Sequence, residues 1–168
     1  MIRRAVPGDA AAIAAVHIGT WQAAYEHLIG AERLAGLDVE RRRAFWERVL
    51  TDDAWAGDLF VAEDDVGVVA FASSGPARDG SGDGELYAIY ALPRAWGGGA
   101  GPALMEATLD ALRVRSFATA LLWVFEDNPR ARRFYERTGW TLDTDESARK
   151  VEELLGVDVT EVRYRIRL

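Results

Sequence analysis

The chain has 168 residues, 49% of them hydrophobic and 28% charged, with a formal net charge of −7. That length and balance suit one globular domain over residues 1–168. The acidic charge argues against a nucleic-acid partner and mildly favours cationic partners such as amines. With no cysteine and only His17 and His27, disulfides, cysteine nucleophiles and thiolate or histidine metal sites are excluded.

Met1 to Val16 loosely resembles a secretion signal, but Pro7, Gly8 and Asp9 break the run and no small-residue cleavage site follows. No stretch approaches the ~20 apolar residues of a membrane span, so no membrane partner and a cytoplasmic location are expected. Ile2 to Val6 is read as a strand. Asp9 is placed to cap a helix carrying Ile13, Val16, Thr20 and Tyr25. Ala31 to Leu37 is a short helix. Glu40 to Leu50 is another, with Phe45, Val49 and Leu50 inward. Leu59 to Glu63 and Val66 to Ser74, joined at Asp64-Asp65, predict a hairpin. Gly75 to Gly84 is a loop.

Glu85 to Leu92 is apolar on both faces, as a central strand requires. Pro93 ends it. After the glycine run comes a helix to Arg115 with Leu104, Leu109 and Leu112 buried, then a strand over Ala118 to Phe125. Asn128-Pro129 opens a helix that ends at Gly139. Trp140 to Asp145 and Val159 to Ile166 read as the last two strands. The whole is a mixed sheet with helices packed on it.

Gly97-Gly98-Gly99-Ala100-Gly101 lies between a strand and a helix. Backbone N–H groups freed of side chains converge on an anion there, and the helix N-terminus adds partial positive charge. A phosphate-bearing ligand is implied, with a ligand-free flexible turn as the alternative. A Walker loop needs a lysine, and the sole one is Lys150. The Rossmann spacing fails too, because its third glycine falls on Pro102 or Leu104.

ELYAIYALPRAWGGGAGPALM resembles the acetyl-CoA-binding motif of the GNAT superfamily, and EDNPRARRFYERTGW resembles that family's second motif. Together they span Glu85 to Trp140. The resemblance implies an α/β (α+β) GNAT fold: a mixed, mostly antiparallel sheet flanked by helices, with splayed central strands. It implies acetyl-CoA as cofactor, its pantetheine arm against Ile89, Tyr90, Ala91 and Leu92 and its pyrophosphate on Gly97, Gly98, Gly99, Ala100 and Gly101. Trp96 stands at the motif's Gln/Arg position, Gly98 where a basic residue is usual, and Pro102 removes an N–H. A loop without its own cation is expected to bind CoA more weakly than family members that have one.

By the same resemblance Tyr135 is the general acid beside the CoA sulfur, against the alternative of an aromatic packing beside Phe134. Glu85 takes the amine proton, against the alternative of a strand-edge charge. Asn128 caps its helix and contacts the pantetheine arm. Arg132 or Arg133 reaches a CoA phosphate, although an arginine on a helix face is more often solvated. Trp21 and Tyr25, four residues apart on one helix face, wall the acceptor pocket or pack in the core. The implied reaction moves acetyl from acetyl-CoA to a primary amine of a small molecule or peptide by direct attack in a ternary complex. The alternatives are a non-catalytic CoA-binding sensor and a nucleotide-binding module. Family members are often dimers, so a homodimer is among the expectations.

Overall fold

The computed structural model describes residues 1–168. In chain order it runs β1 (Ile2–Arg4), α1 (Ala10–Ala24), α2 (Glu26–Ile29), α3 (Ala31–Ala35), α4 (Val39–Thr51), β2 (Asp58–Asp64), β3 (Gly67–Pro76) and β4 (Gly84–Ala91). It continues through α5 (Ala100–Val114), β5 (Thr119–Phe125), α6 (Pro129–Arg137), β6 (Thr141–Leu142), β7 (Arg149–Leu154) and β8 (Val157–Arg167). The eight strands form one sheet in the order β1-β2-β3-β4-β5-β8, with β6 and β7 end to end along the far edge of β8. Every pairing is antiparallel except β4 with β5. No helix is long and apolar enough to cross a membrane.

Helices cover both faces. On one, α5 and α6 bring Leu104, Met105, Leu109, Leu112 and Tyr135 against Ala70, Ala72, Leu122 and Tyr164. On the other, α1 and α4 pack Ile13, Ala14, Val16 and Trp46 against Leu59, Val61 and Phe71. Strand alternation sends successive residues to opposite layers, which is why Val162 and Tyr164 of β8 are buried as expected.

Three local expectations are corrected. Asp9 does not cap α1; it ends a 3₁₀ turn over Pro7–Asp9. Its carboxylate accepts both arms of the Arg3 guanidinium, at 2.7 and 2.9 Å, and the Val6 N–H at 2.8 Å. A bidentate guanidinium outcompetes a single backbone donor, and the pair ties β1 to α1. Phe45 is 39% exposed, under the Arg42 guanidinium, while Trp46 points inward; α4 starts at Val39, one residue before the expected Glu40, and is capped by Asp38. The strand expected over Trp140 to Asp145 pairs only at Thr141–Leu142, and β7 takes the remaining edge of β8.

His17 of α1 is buried among Trp21, Trp46, Phe71 and Tyr90, with ring centroids 4.9 to 5.9 Å away. Neither ring nitrogen has a partner. Burial, and secondarily the Arg42 charge, push its pKa down to about 3. An unfolded histidine titrates near 6.5, so between those values the unfolded chain binds the extra proton. Stability is therefore full above about pH 6.5 and falls as pH drops, by at most about 1.4 kcal/mol per unit. Urea melts of wild type and His17→Leu between pH 5 and 6.5 are expected to show a shallower slope in the variant. Equal slopes would mean that His17 is protonated in the fold.

Candidate active site

The site begins with a defect in the sheet. β4 and β5 pair only at Gly84–Ala120, Glu85–Leu121 and Leu86–Leu122, although both strands run on. The cause lies one residue beyond Leu86. Ser74 pairs with Leu86 and Ser73 with Ala88, so Tyr87 is an extra residue, a β-bulge. The bulge bends β4 away from β5 and exchanges its faces. Leu86 packs on the α5 side, whereas Ala88 and Tyr90 pack on the α1 side. At the closed end Asp83 holds the seam through Arg165, at 2.8 Å, and Thr119.

The open end of the splay is a cleft of about 410 Å³. The Leu92 N–H donates to Val69 on β3, while the Ala91 carbonyl faces the cleft and accepts from Trp96 Nε1 at 2.7 Å. Backbone groups alternate in direction along a strand. The Ile89 amide and the Ala91 N–H therefore face the gap, where an extended ligand arm would pair with them.

The glycine loop closes one end. Gly97 and Gly99 have φ of +76° and +88°, open to glycine and strained for other residues. A Cβ on Gly101 would sit 3.3 Å from Phe134 of α6, so this glycine permits the close approach of the two helices. The N–H groups of Gly97, Gly99, Ala100 and Gly101 have no partner within the chain, but that of Gly98 donates to the Ala95 carbonyl at 3.2 Å. Four of the five expected backbone donors are thus available for an anion.

The cleft brings together Glu85, Ile89, Tyr90, Ala91, Gly97, Gly99, Gly101, Asn128, Tyr135 and Tyr25. Asn128 Oδ1 accepts the Ala131 N–H at 3.1 Å and caps α6 as expected. Tyr135 is 8% exposed, its hydroxyl has no partner within the chain, and burial raises its pKa further above the usual phenol value. Glu85 is 2% exposed, and both carboxylate oxygens hold Arg78: one accepts the Arg78 N–H at 2.9 Å, the other its guanidinium. Leu92 is turned to the α1 layer instead, and Trp21 stands behind Tyr25 in an edge-on contact at 5.5 Å.

Arg132 is the main correction. Its guanidinium donates to the Tyr164 hydroxyl at 3.0 Å and the Glu126 carbonyl at 3.1 Å, away from the cleft. Arg130 lines the cleft in its place, with its guanidinium 3.4 Å over the Trp96 ring. Only the fold separates the two: Arg130 is four residues before Phe134, which packs on Gly101 of the glycine loop, whereas Arg132 is four before solvent-facing Glu136. Lys150 of β7 was also missed. It sits 4.6 Å over Trp123 at the other end of the cleft, paired with Glu161 at 3.2 Å and Glu152 at 3.0 Å.

Known proteins agree with this geometry. The model of the acetyltransferase (GNAT) family matches residues 21–140. An uncharacterized N-acetyltransferase, YuaI of Bacillus subtilis, is 36% identical over 132 residues, 76% of this chain and 73% of that protein. A mycothiol acetyltransferase of Streptomyces avermitilis is 34% identical over 86% of this chain, which spans only 44% of that larger protein. Among solved structures, the PaiA N-acetyltransferase of Thermoplasma acidophilum in complex with coenzyme A superposes with a TM-score of 0.76 at 14% identity, covering 100% of this chain and 98% of that one. The ribosomal-protein-alanine N-acetyltransferase of Brucella melitensis does so with a TM-score of 0.74 at 24% identity, covering 100% and 99%. The split sheet, the glycine turn and the match across both motifs converge on one lineage: this chain belongs to the GNAT acetyltransferase family.

Proposed function

We propose that the chain transfers acetyl from acetyl-CoA directly to a primary amine of a small molecule or peptide, with both substrates in the cleft at once. The carrying observation is the continuous path from the unpaired N–H groups of the glycine loop, along the unpaired edge of β4, to the Tyr135 hydroxyl. The amine nitrogen attacks the thioester carbonyl carbon, the carbon–sulfur bond breaks, and Tyr135 protonates the departing thiolate. Its raised pKa keeps it in the donating form. The nitrogen loses its remaining extra proton as the amide forms, and that proton returns to the tyrosinate through solvent.

Beyond the sulfur the cleft is lined by Tyr25, Trp123 and the Arg78–Glu85 and Lys150–Glu161 pairs. Both Glu85 carboxylate oxygens are already engaged by Arg78. We therefore assign Glu85 to charge attraction of the ammonium and positioning of Arg78, with water taking the amine proton. Glu85→Gln is expected to raise the acceptor KM severalfold and leave the acid limb of the kcat/KM profile in place; a displaced limb would restore Glu85 as the base. A mycothiol acetyltransferase and a ribosomal-protein-alanine N-acetyltransferase imply different acceptors, so the amine itself is to be found by test. Thiol release from acetyl-CoA is measured against a panel of small amines and peptides. Amine-dependent release supports the enzyme; CoA binding without any release would make the chain a sensor.

A further inference from the structure

Basic side chains in the cleft fall into two groups. Arg78 and Lys150 are neutralised by Glu85 and by Glu152 with Glu161. Arg130 and Arg137, both on α6, have no carboxylate partner, and of these only Arg130 is fixed in place. Its guanidinium lies 3.4 Å over the Trp96 ring, and Trp96 is itself anchored by its hydrogen bond to the Ala91 carbonyl. Stacking holds the guanidinium plane while leaving its N–H fork at the edge free to donate. Burial alone acts on its charge, unfavourably, with no anion of the chain to offset it. Arg130 and Trp96 line the same cleft as Gly97, Gly99 and Gly101, whose N–H groups are free.

We infer that Arg130 is the phosphate-binding cation of this protein: stacked on Trp96, it pairs with the pyrophosphate of CoA and takes over from α6 the charge that Trp96 and Gly98 deny the loop. This rests on CoA as the ligand. It revises the expectation of weak binding, because the loop lacks a cation only in sequence, not in space.

The test is calorimetry of CoA, 3′-dephospho-CoA and pantetheine against wild type, Arg130→Ala, Arg137→Ala and Trp96→Leu. Arg130→Ala is expected to weaken CoA and dephospho-CoA alike, by roughly tenfold to a hundredfold, the range of a charged hydrogen-bond pair. Pantetheine, which has no pyrophosphate, should bind wild type and variant equally. The salt dependence of CoA binding should also become shallower in the variant. Trp96→Leu should lose severalfold by freeing the guanidinium, and Arg137→Ala should lose less than Arg130→Ala. Loss on CoA but not on dephospho-CoA would move Arg130 to the ribose phosphate and overturn the pyrophosphate assignment. Equal losses in the two arginine variants would reduce the effect to general charge and overturn it as well. Unchanged CoA affinity in Arg130→Ala sinks the proposal alone, whereas a wild type that does not bind CoA sinks the cofactor reading with it.

Discussion

Tyr135→Phe is expected to lower kcat by about a hundredfold or more, within the range by which a positioned general acid accelerates proton transfer. CoA affinity should change by less than about twofold, since a group used only in the transition state contributes little to ground-state binding. The ring is held independently of its hydroxyl: it packs on Trp140 and Tyr164 at centroid distances of 6.4 and 6.2 Å, and the hydroxyl has no partner to lose. The variant should therefore fold like wild type, and the kinetic loss would be chemical. The alternative, that Tyr135 is an aromatic packed beside Phe134 at 5.5 Å, predicts unchanged turnover. Single-turnover measurement with saturating acetyl-CoA separates the two.

Gly99→Val is expected to cut CoA affinity by roughly ten- to a hundredfold. Gly99 is the residue before α5 and sits at φ +88°, with nothing within 4 Å of a built Cβ. The penalty is thus purely conformational. A β-branched residue resists the left-handed region by about 1–2 kcal/mol, and the chain relieves this by rotating the peptide units around it. Those units carry the free N–H groups of Gly99 and Ala100, two of the proposed phosphate donors, and each hydrogen bond to a charged phosphate is worth about 1.5–3 kcal/mol. Gly98→Ala is the natural comparison. Gly98 is not left-handed and its N–H already serves Ala95, so the loss there should be smaller. A folded Gly99→Val variant with wild-type CoA affinity would show that side chains, not the loop backbone, hold the phosphates.

The parts legible in sequence were those where backbone chemistry leaves a residue signature. Glycines at left-handed positions, Pro93 after a strand and Asn128-Pro129 at a helix start located the loop, the central strand and α6 within a residue or two. The strand β7 left no such trace. Arg149 to Leu154 is an edge strand whose side chains are mostly exposed, so no apolar alternation marks it. Its turn is Leu155-Gly156, with φ of +53° and +75°, where a two-residue hairpin ordinarily shows Asn-Gly or Asp-Gly. Lys150 was missed with it. The bulge at Tyr87 was likewise hidden, because a strand apolar on both faces reads the same with or without a change of phase. Arg130 was not within reach: Asn128 and Tyr135, the site residues of this helix, lie four before and three after Arg132, so the helical wheel favoured Arg132. Nor was the Arg78–Glu85 pair, because loop and strand meet only in the folded chain.

The short seam between β4 and β5 has a mechanical consequence. Three residue pairs at its closed end hold two otherwise complete plates, β1–β4 and β5–β8, in one sheet. An extended molecule seated in the open end acts as a keystone, completing the span that the chain itself leaves unbuilt. Occupancy and rigidity then become a single property: by mass action, a ligand that favours the folded form raises its persistence with concentration. Thermal melts at rising CoA concentration are expected to show that gain as a steadily increasing midpoint.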